Sequence, residues 1–230
     1  MRDEDYDKLA EEAGKFGLWI RGLLAVYNTY GWRRSEPLDD LRARQVDLVN
    51  QTIDLNPGAT KNKDARVIKM TREVHAVISM RIEGKGPDDR VFTREDGKII
   101  GDFRKTWYKI CCNVGLGRMA CRVCDLTVTA DGRKCGSSDV HYVGLLIHDL
   151  RRTGCRNRNL RRLGVYEKTI MKIGGWKTRS VFDRYNIVDE KDLAEAAALL
   201  DQKAQQRELR HSSGKVSPKP RLSDEGWSVN

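Results

Sequence analysis

Residues 148–185 read HDLRRTGCRNRNLRRLGVYEKTIMKIGGWKTRSVFDRY. His148 and Arg151 open this run three residues apart, a spacing that puts both on one face of a helix. Their cationic groups can converge on one anion there, and the Arg fork suits a bidentate grip on phosphate. Arg156, Arg158, Arg161 and Arg162 follow. Leu163 and Gly164 read as a helix stop, because Gly adopts the left-handed cap conformation cheaply. A second short helix leads to Gly174, Gly175 and Trp176, and a third carries Tyr185. Cations, an imidazole, an indole donor and a terminal phenol together describe a site for attack on a phosphate.

Upstream, the apolar spacing of residues 16–32, FGLWIRGLLAVYNTYGW, predicts a buried helix that ends near Gly31 and leaves Arg33 just past it. Ser35 is placed to cap the next helix, with Glu36 and Asp39 in its first turn and Pro37 tolerated there. QVDLV, QTIDL and ARVIKM, within 45–70, alternate as strands broken at Asn50 and at the Asn-Pro-Gly turn of 56–58. They predict a small three-stranded antiparallel sheet. Lys61 falls at the tip of its second hairpin and Lys63 two residues on. A hairpin lysine can protonate a leaving oxygen, although a solvated loop position is the default for any single Lys. Residues 71–82 and 103–116 read as scaffold helices, with Trp107, Ile110 and Cys111 as core.

HDLRRTG, then GGW, then a tyrosine nine residues after the Trp resemble the C-terminal catalytic domain of the tyrosine recombinases, the phage-integrase family. YGWRRSEPLDDLRARQVDL at 30–48 resembles that family's first arginine box, and TKNKDARVI at 60–68 its lysine hairpin. Ser35 and Pro37 depart from the Gly and Leu usual there. The resemblance spans about residues 18–205. It implies an α+β fold, mainly α-helical with a small three-stranded antiparallel sheet. It also implies a site-specific recombinase or integrase acting on double-stranded DNA without metal, ATP or other cofactor.

In that reading Arg33 and Arg151 neutralise the five-coordinate phosphate, and Glu36 orients Arg33. Lys61 is the general acid, with Lys63 the other choice, and Trp176 takes a position that is His in many relatives. Tyr185 is the nucleophile, forming a 3′-phosphotyrosyl link and freeing a 5′-hydroxyl. A phenol of pKa about 10 needs a base or a strong positive potential. His148 supplies the first and the two arginines the second. Arg156, Arg158, Arg161 and Arg162 would contact DNA. Residues 189–209, DEKDLAEAAALLDQKAQQREL, read as an amphipathic helix. In relatives that helix docks on a neighbour, which implies a homo-oligomer, a tetramer on paired DNA sites. A topoisomerase-like relaxing activity and a non-catalytic DNA-binding remnant are the other readings.

Composition sets the outer limits. The 230 residues carry 43 Lys and Arg against 33 Asp and Glu, a net charge of +10 that favours a polyanionic partner. The acidic start MRDEDYDKLAEEAG lacks the apolar stretch of a signal peptide, and no run is long enough for a membrane span. A soluble, cytoplasmic protein of a bacterial or phage-infected cell is expected. Its six cysteines then read as free thiols or metal ligands. Residues 117–142 look like an insertion, where Cys121, Cys124, Cys135 and His141 have the donor set of a structural Cys3His zinc site, with reduced surface thiols as the other reading. The expected layout is a stub at 1–15 with no DNA-clamping domain ahead of it, a catalytic domain at 16–208, and a disordered tail at 209–230.

Overall fold

The computed structural model describes residues 2–55, 66–128, 138–156, 160, 163–185 and 190–213. Two compact units divide the chain, residues 1–186 and residues 187–230. The first unit is organised around α2 (Leu18–Tyr30), which buries Trp19, Ile20, Leu23, Leu24, Val26, Tyr27 and Tyr30. A helix apolar on nearly every side has to be wrapped by others. Around it pack α1 (Asp3–Phe16), α3 (Arg72–Ile82) and α5 (Ile147–Arg156).

The expected stub is therefore part of the core. Leu9, Ala10 and Ala13 of α1 are buried in the same apolar cluster as α2, and α1 also meets α4 (Arg104–Asn113). Gly17, with φ of 128°, separates α1 from α2, so the single helix expected from residue 16 is interrupted there. Ser35 makes no side-chain cap, and residues 36–40 form one turn of π-helix.

The three-stranded antiparallel sheet is present as expected, in the order β1 (Val46–Asp47), β2 (Thr52–Leu55), β3 (Arg66–Lys69). Ile53 pairs with Ile68 and Leu55 with Arg66. Alternation along a strand turns Ile53, Leu55, Arg66 and Ile68 to the buried face, while Asp54 and Val67 face out. Residues 56–65, with Lys61 and Lys63, lie outside the described residues.

Residues 117–142, read as an insertion, contain most of a β-hairpin. β4 (Gly117–Cys121) pairs antiparallel with β5 (Val140–Gly144). Tyr142 of β5 stacks on Tyr108 of α4 with ring centres 4.0 Å apart. Trp107 of α4 donates its indole N–H to the Leu145 carbonyl at 2.8 Å. The hairpin thus hands the chain to α5 from an anchored point two residues before that helix starts.

Beyond α5 come α6 (Glu167–Gly174) and α7 (Arg179–Asp183), with a small apolar cluster of Ile170, Trp176 and Phe182 between them. The second unit carries α8 (Glu190–Ser213), which runs past the expected helix end at 209. Its Leu193, Leu199 and Leu200 are exposed. No helix among the described residues is long and apolar enough to cross a membrane.

Candidate active site

The helix stop at Gly31 determines where Arg33 stands. Gly31 takes the left-handed conformation at φ 62° and closes α2 with its N–H on the Tyr27 carbonyl. It also touches α5: a Cβ on Gly154 would stand 2.5 Å from the Gly31 nitrogen. Two glycines facing each other let the end of α2 approach α5 more closely than any side chain would allow. Arg151 Nη1 uses that proximity to donate to the Gly31 carbonyl at 2.5 Å. The backbone just before Arg33 is in this way tied to Arg151.

Arg151 is almost fully buried, and its guanidinium lies 4.2 Å from the Trp176 ring centre and 5.4 Å from that of Tyr185. Burial pushes its pKa down, and the charge of nearby Arg33 adds to this, while Glu36 and Tyr185 favour the charged form. Stacking on an aromatic face returns part of the hydration such a cation loses. Tyr185 lies two residues beyond α7, in the turn after it rather than on the helix. Its hydroxyl is 3.2 Å from His148 Nε2. His148 is one turn before Arg151 on α5, the shared face expected of their spacing.

Trp176 follows Gly175, whose φ of 68° caps α6. The indole is buried against Phe182 and Tyr185, at 5.7 and 5.8 Å between ring centres. Its Nε1–H is buried and has no hydrogen-bond partner among the described residues. A buried N–H left open beside an arginine and a phenol fits a donor awaiting an anionic oxygen.

Glu36, expected as the acidic partner that orients Arg33, meets it at the main chain. Its Oε2 accepts the Arg33 backbone N–H at 2.7 Å, and its Oε1 accepts Arg66 Nη2 at 2.6 Å. Glu36 and Arg66 side chains are 3% and 6% exposed, a buried ion pair. The Arg33 guanidinium has no carboxylate partner among the described residues. Sequence reasoning missed Arg66, although one signal was present: it falls in phase with Ile68 and Met70, on the inward face of an alternating strand. An open cleft of about 800 Å³ borders His148, with Arg34 and Arg104 on its wall.

Of the other expected residues, Lys61, Arg158, Arg161, Arg162 and Cys135 lie outside the described residues, as does the side chain of Arg156. Val123 N–H points to Cys121 Sγ at 3.4 Å, as in a thiolate knuckle. Yet Cys121 stands opposite Val140 while His141 stands opposite Ala120. Neighbouring residues leave a strand on opposite faces, so Cys121 and His141 do not share one. Among the described residues no group of three or more His, Cys, Asp or Glu could hold a metal ion. The described part of the expected zinc set does not fit a common centre.

Solved structures share this architecture. XerA recombinase superposes with a TM-score of 0.61 at 16% identity, covering 86% of this chain and 64% of that one. The Tn1549 transposon integrase in complex with circular intermediate DNA gives 0.57 at 17%, covering 86% and 63%. XerH site-specific recombinase bound to palindromic difH substrate, a post-cleavage complex, gives 0.55 at 18%, covering 87% and 53%. The fold is that of the tyrosine-recombinase catalytic domain. At these identities the likeness is one of fold, and the chain spans less than two thirds of each of these structures. No protein-family model and no curated protein matches the sequence.

Proposed function

We propose that this chain cleaves and rejoins double-stranded DNA as a tyrosine-type site-specific recombinase. The observation that carries the reading is the Tyr185 hydroxyl lying 3.2 Å from His148 Nε2, beside the buried Arg151 guanidinium. With Nε2 unprotonated, His148 takes the phenol proton as the Tyr185 oxygen attacks phosphorus. The bond from phosphorus to the 5′-oxygen breaks, leaving a 3′-phosphotyrosyl ester and, once protonated, a 5′-hydroxyl. Lys61 is the proposed donor of that proton. Arg33, Arg151 and the open Trp176 N–H face the charge that grows on the non-bridging oxygens. Attack by a 5′-hydroxyl from the partner strand reverses the step, returns the proton to Tyr185, and needs no ATP because the ester keeps the bond energy. Self-association through α8 would bring paired sites together.

Relaxation of supercoiled plasmid at low salt with EDTA present tests this. The parent is expected to relax it, and Tyr185→Phe to bind DNA without relaxing it. Equal relaxation by both would remove Tyr185 as nucleophile. Joining of two defined sites, set against relaxation alone, separates a recombinase from a topoisomerase-like activity.

A further inference from the structure

Within the recombinase reading, we infer that Arg66 is a positioning residue: it holds the Glu36 carboxylate so that Arg33 and Arg151 stay available to the DNA phosphate. Glu36 is a buried carboxylate among three arginines. Its charge acts on both Arg66 and Arg151, and the charge of Arg33 acts on the same two. A buried carboxylate without a cation is strongly disfavoured, so it pairs with whichever arginine the fold holds against it.

The fold reserves that place for Arg66. Strand alternation turns it inward opposite Leu55, and its guanidinium lies 5.7 Å from the Trp32 ring centre. Gly175 leaves the space it fills, since a Cβ there would run into Arg66 Nη1. Trp32 is itself fixed by its indole N–H on the Ile173 carbonyl at 2.9 Å. With Oε1 taken by Arg66, the other oxygen of Glu36 receives the Arg33 backbone N–H. The main chain of Arg33 is held while its guanidinium has no carboxylate partner among the described residues. Arg151 likewise donates to the neutral Gly31 carbonyl and lies beside the Tyr185 phenol, with no carboxylate partner among the described residues. Without Arg66, Glu36 would draw one of these two guanidinia into an internal pair and withdraw it from the phosphate.

Second-site rescue separates this role from simple packing. Initial rates of plasmid relaxation in EDTA are compared for the parent, Arg66→Lys, Arg66→Met and the double variant Arg66→Met/Glu36→Gln, with thermal unfolding recorded for each. Arg66→Met is expected to slow relaxation about a hundredfold, the scale of losing one fixed donor at a developing charge. Removing the stray carboxylate in the double variant is expected to recover at least about tenfold of that loss. Arg66→Lys, which keeps the charge, should fall between the parent and Arg66→Met. If Arg66→Met does not fold, the double variant and Arg66→Lys carry the comparison against the parent. Parent-like relaxation by Arg66→Met overturns the inference. So does a folded double variant no faster than Arg66→Met, or a folded Arg66→Lys about a hundredfold slower than the parent. A parent that leaves plasmid supercoiled overturns the recombinase reading itself, and the inference with it.

Discussion

At the scale of single residues, the site separates groups already satisfied from groups left open. Arg151 is anchored on a carbonyl and stacked on Trp176, whereas the Trp176 N–H is buried with no acceptor among the described residues. An unsatisfied buried donor costs about 1–3 kcal/mol, so stability alone gives no reason for an indole there. Trp176→Phe keeps an aromatic face under Arg151 and removes the N–H. Its thermal midpoint is expected to stay within about 4 °C of the parent, a shift worth no more than about 1 kcal/mol. Its relaxation rate is expected to drop on the order of a hundredfold. A variant relaxing at the parent rate would show that Trp176 serves only to pack. Trp176 and Tyr185 were legible from their spacing to the HDLRRTG box. That the indole N–H is open was not legible, because a lost or gained acceptor depends on neighbours far away in the chain.

Among elements, the contact of α2 with α5 governs the spacing of the candidate arginines Arg33 and Arg151. Gly31 and Gly154 meet backbone to backbone, 123 residues apart by their numbers. Gly154→Ala would place a methyl 2.5 Å from the Gly31 nitrogen, a distance that only separation of the helices can relieve. Overpacking of this kind costs about 1–3 kcal/mol, to be read from urea unfolding, and relaxation should fall with it as Arg33 draws away from Arg151. Unchanged stability together with unchanged relaxation would mean that the two helices do not need this approach. Gly31 was recognisable as a helix stop from its position after an apolar helix. Its second duty, making room for α5, has no local signature, and neither does the partner glycine.

Considered as a whole, the first unit has a main core, and several ionisable groups lie inside it. Burial pushes the Cys111 thiol up to about 12 and the Tyr30 phenol up to about 12, and raises Tyr27 as well. In the unfolded chain these groups titrate near about 8.5 for Cys and about 10 for Tyr. A folded pKa above the unfolded one means that, between the two, the folded state keeps a proton which the unfolded state has lost. Stability from these groups is thus complete below about pH 8.5 and is lost as pH rises toward 12. Cys111 alone should account for on the order of 1–3 kcal/mol by about pH 10.5. Thermal midpoints measured between about pH 8 and 11 should fall steadily. A flat profile would mean that these side chains reach water in the folded protein.

The order of the boxes, the three-strand pattern and the helix stop at Gly31 could be read directly from the chain. Each depends on residues within a few positions of one another: apolar periodicity, turn residues, a glycine free to take positive φ. The resemblance of those boxes to the tyrosine recombinases made Arg33, His148, Arg151, Trp176 and Tyr185 candidates. Tertiary packing decided the remainder. It drew α1 into the core, paired β4 with β5 ahead of α5, and joined Glu36 to Arg66 across 30 residues. An arginine on the inward face of a strand has no definite partner until the sheet is packed. Burial then makes an unpaired carboxylate too costly to keep, and the pairing becomes definite.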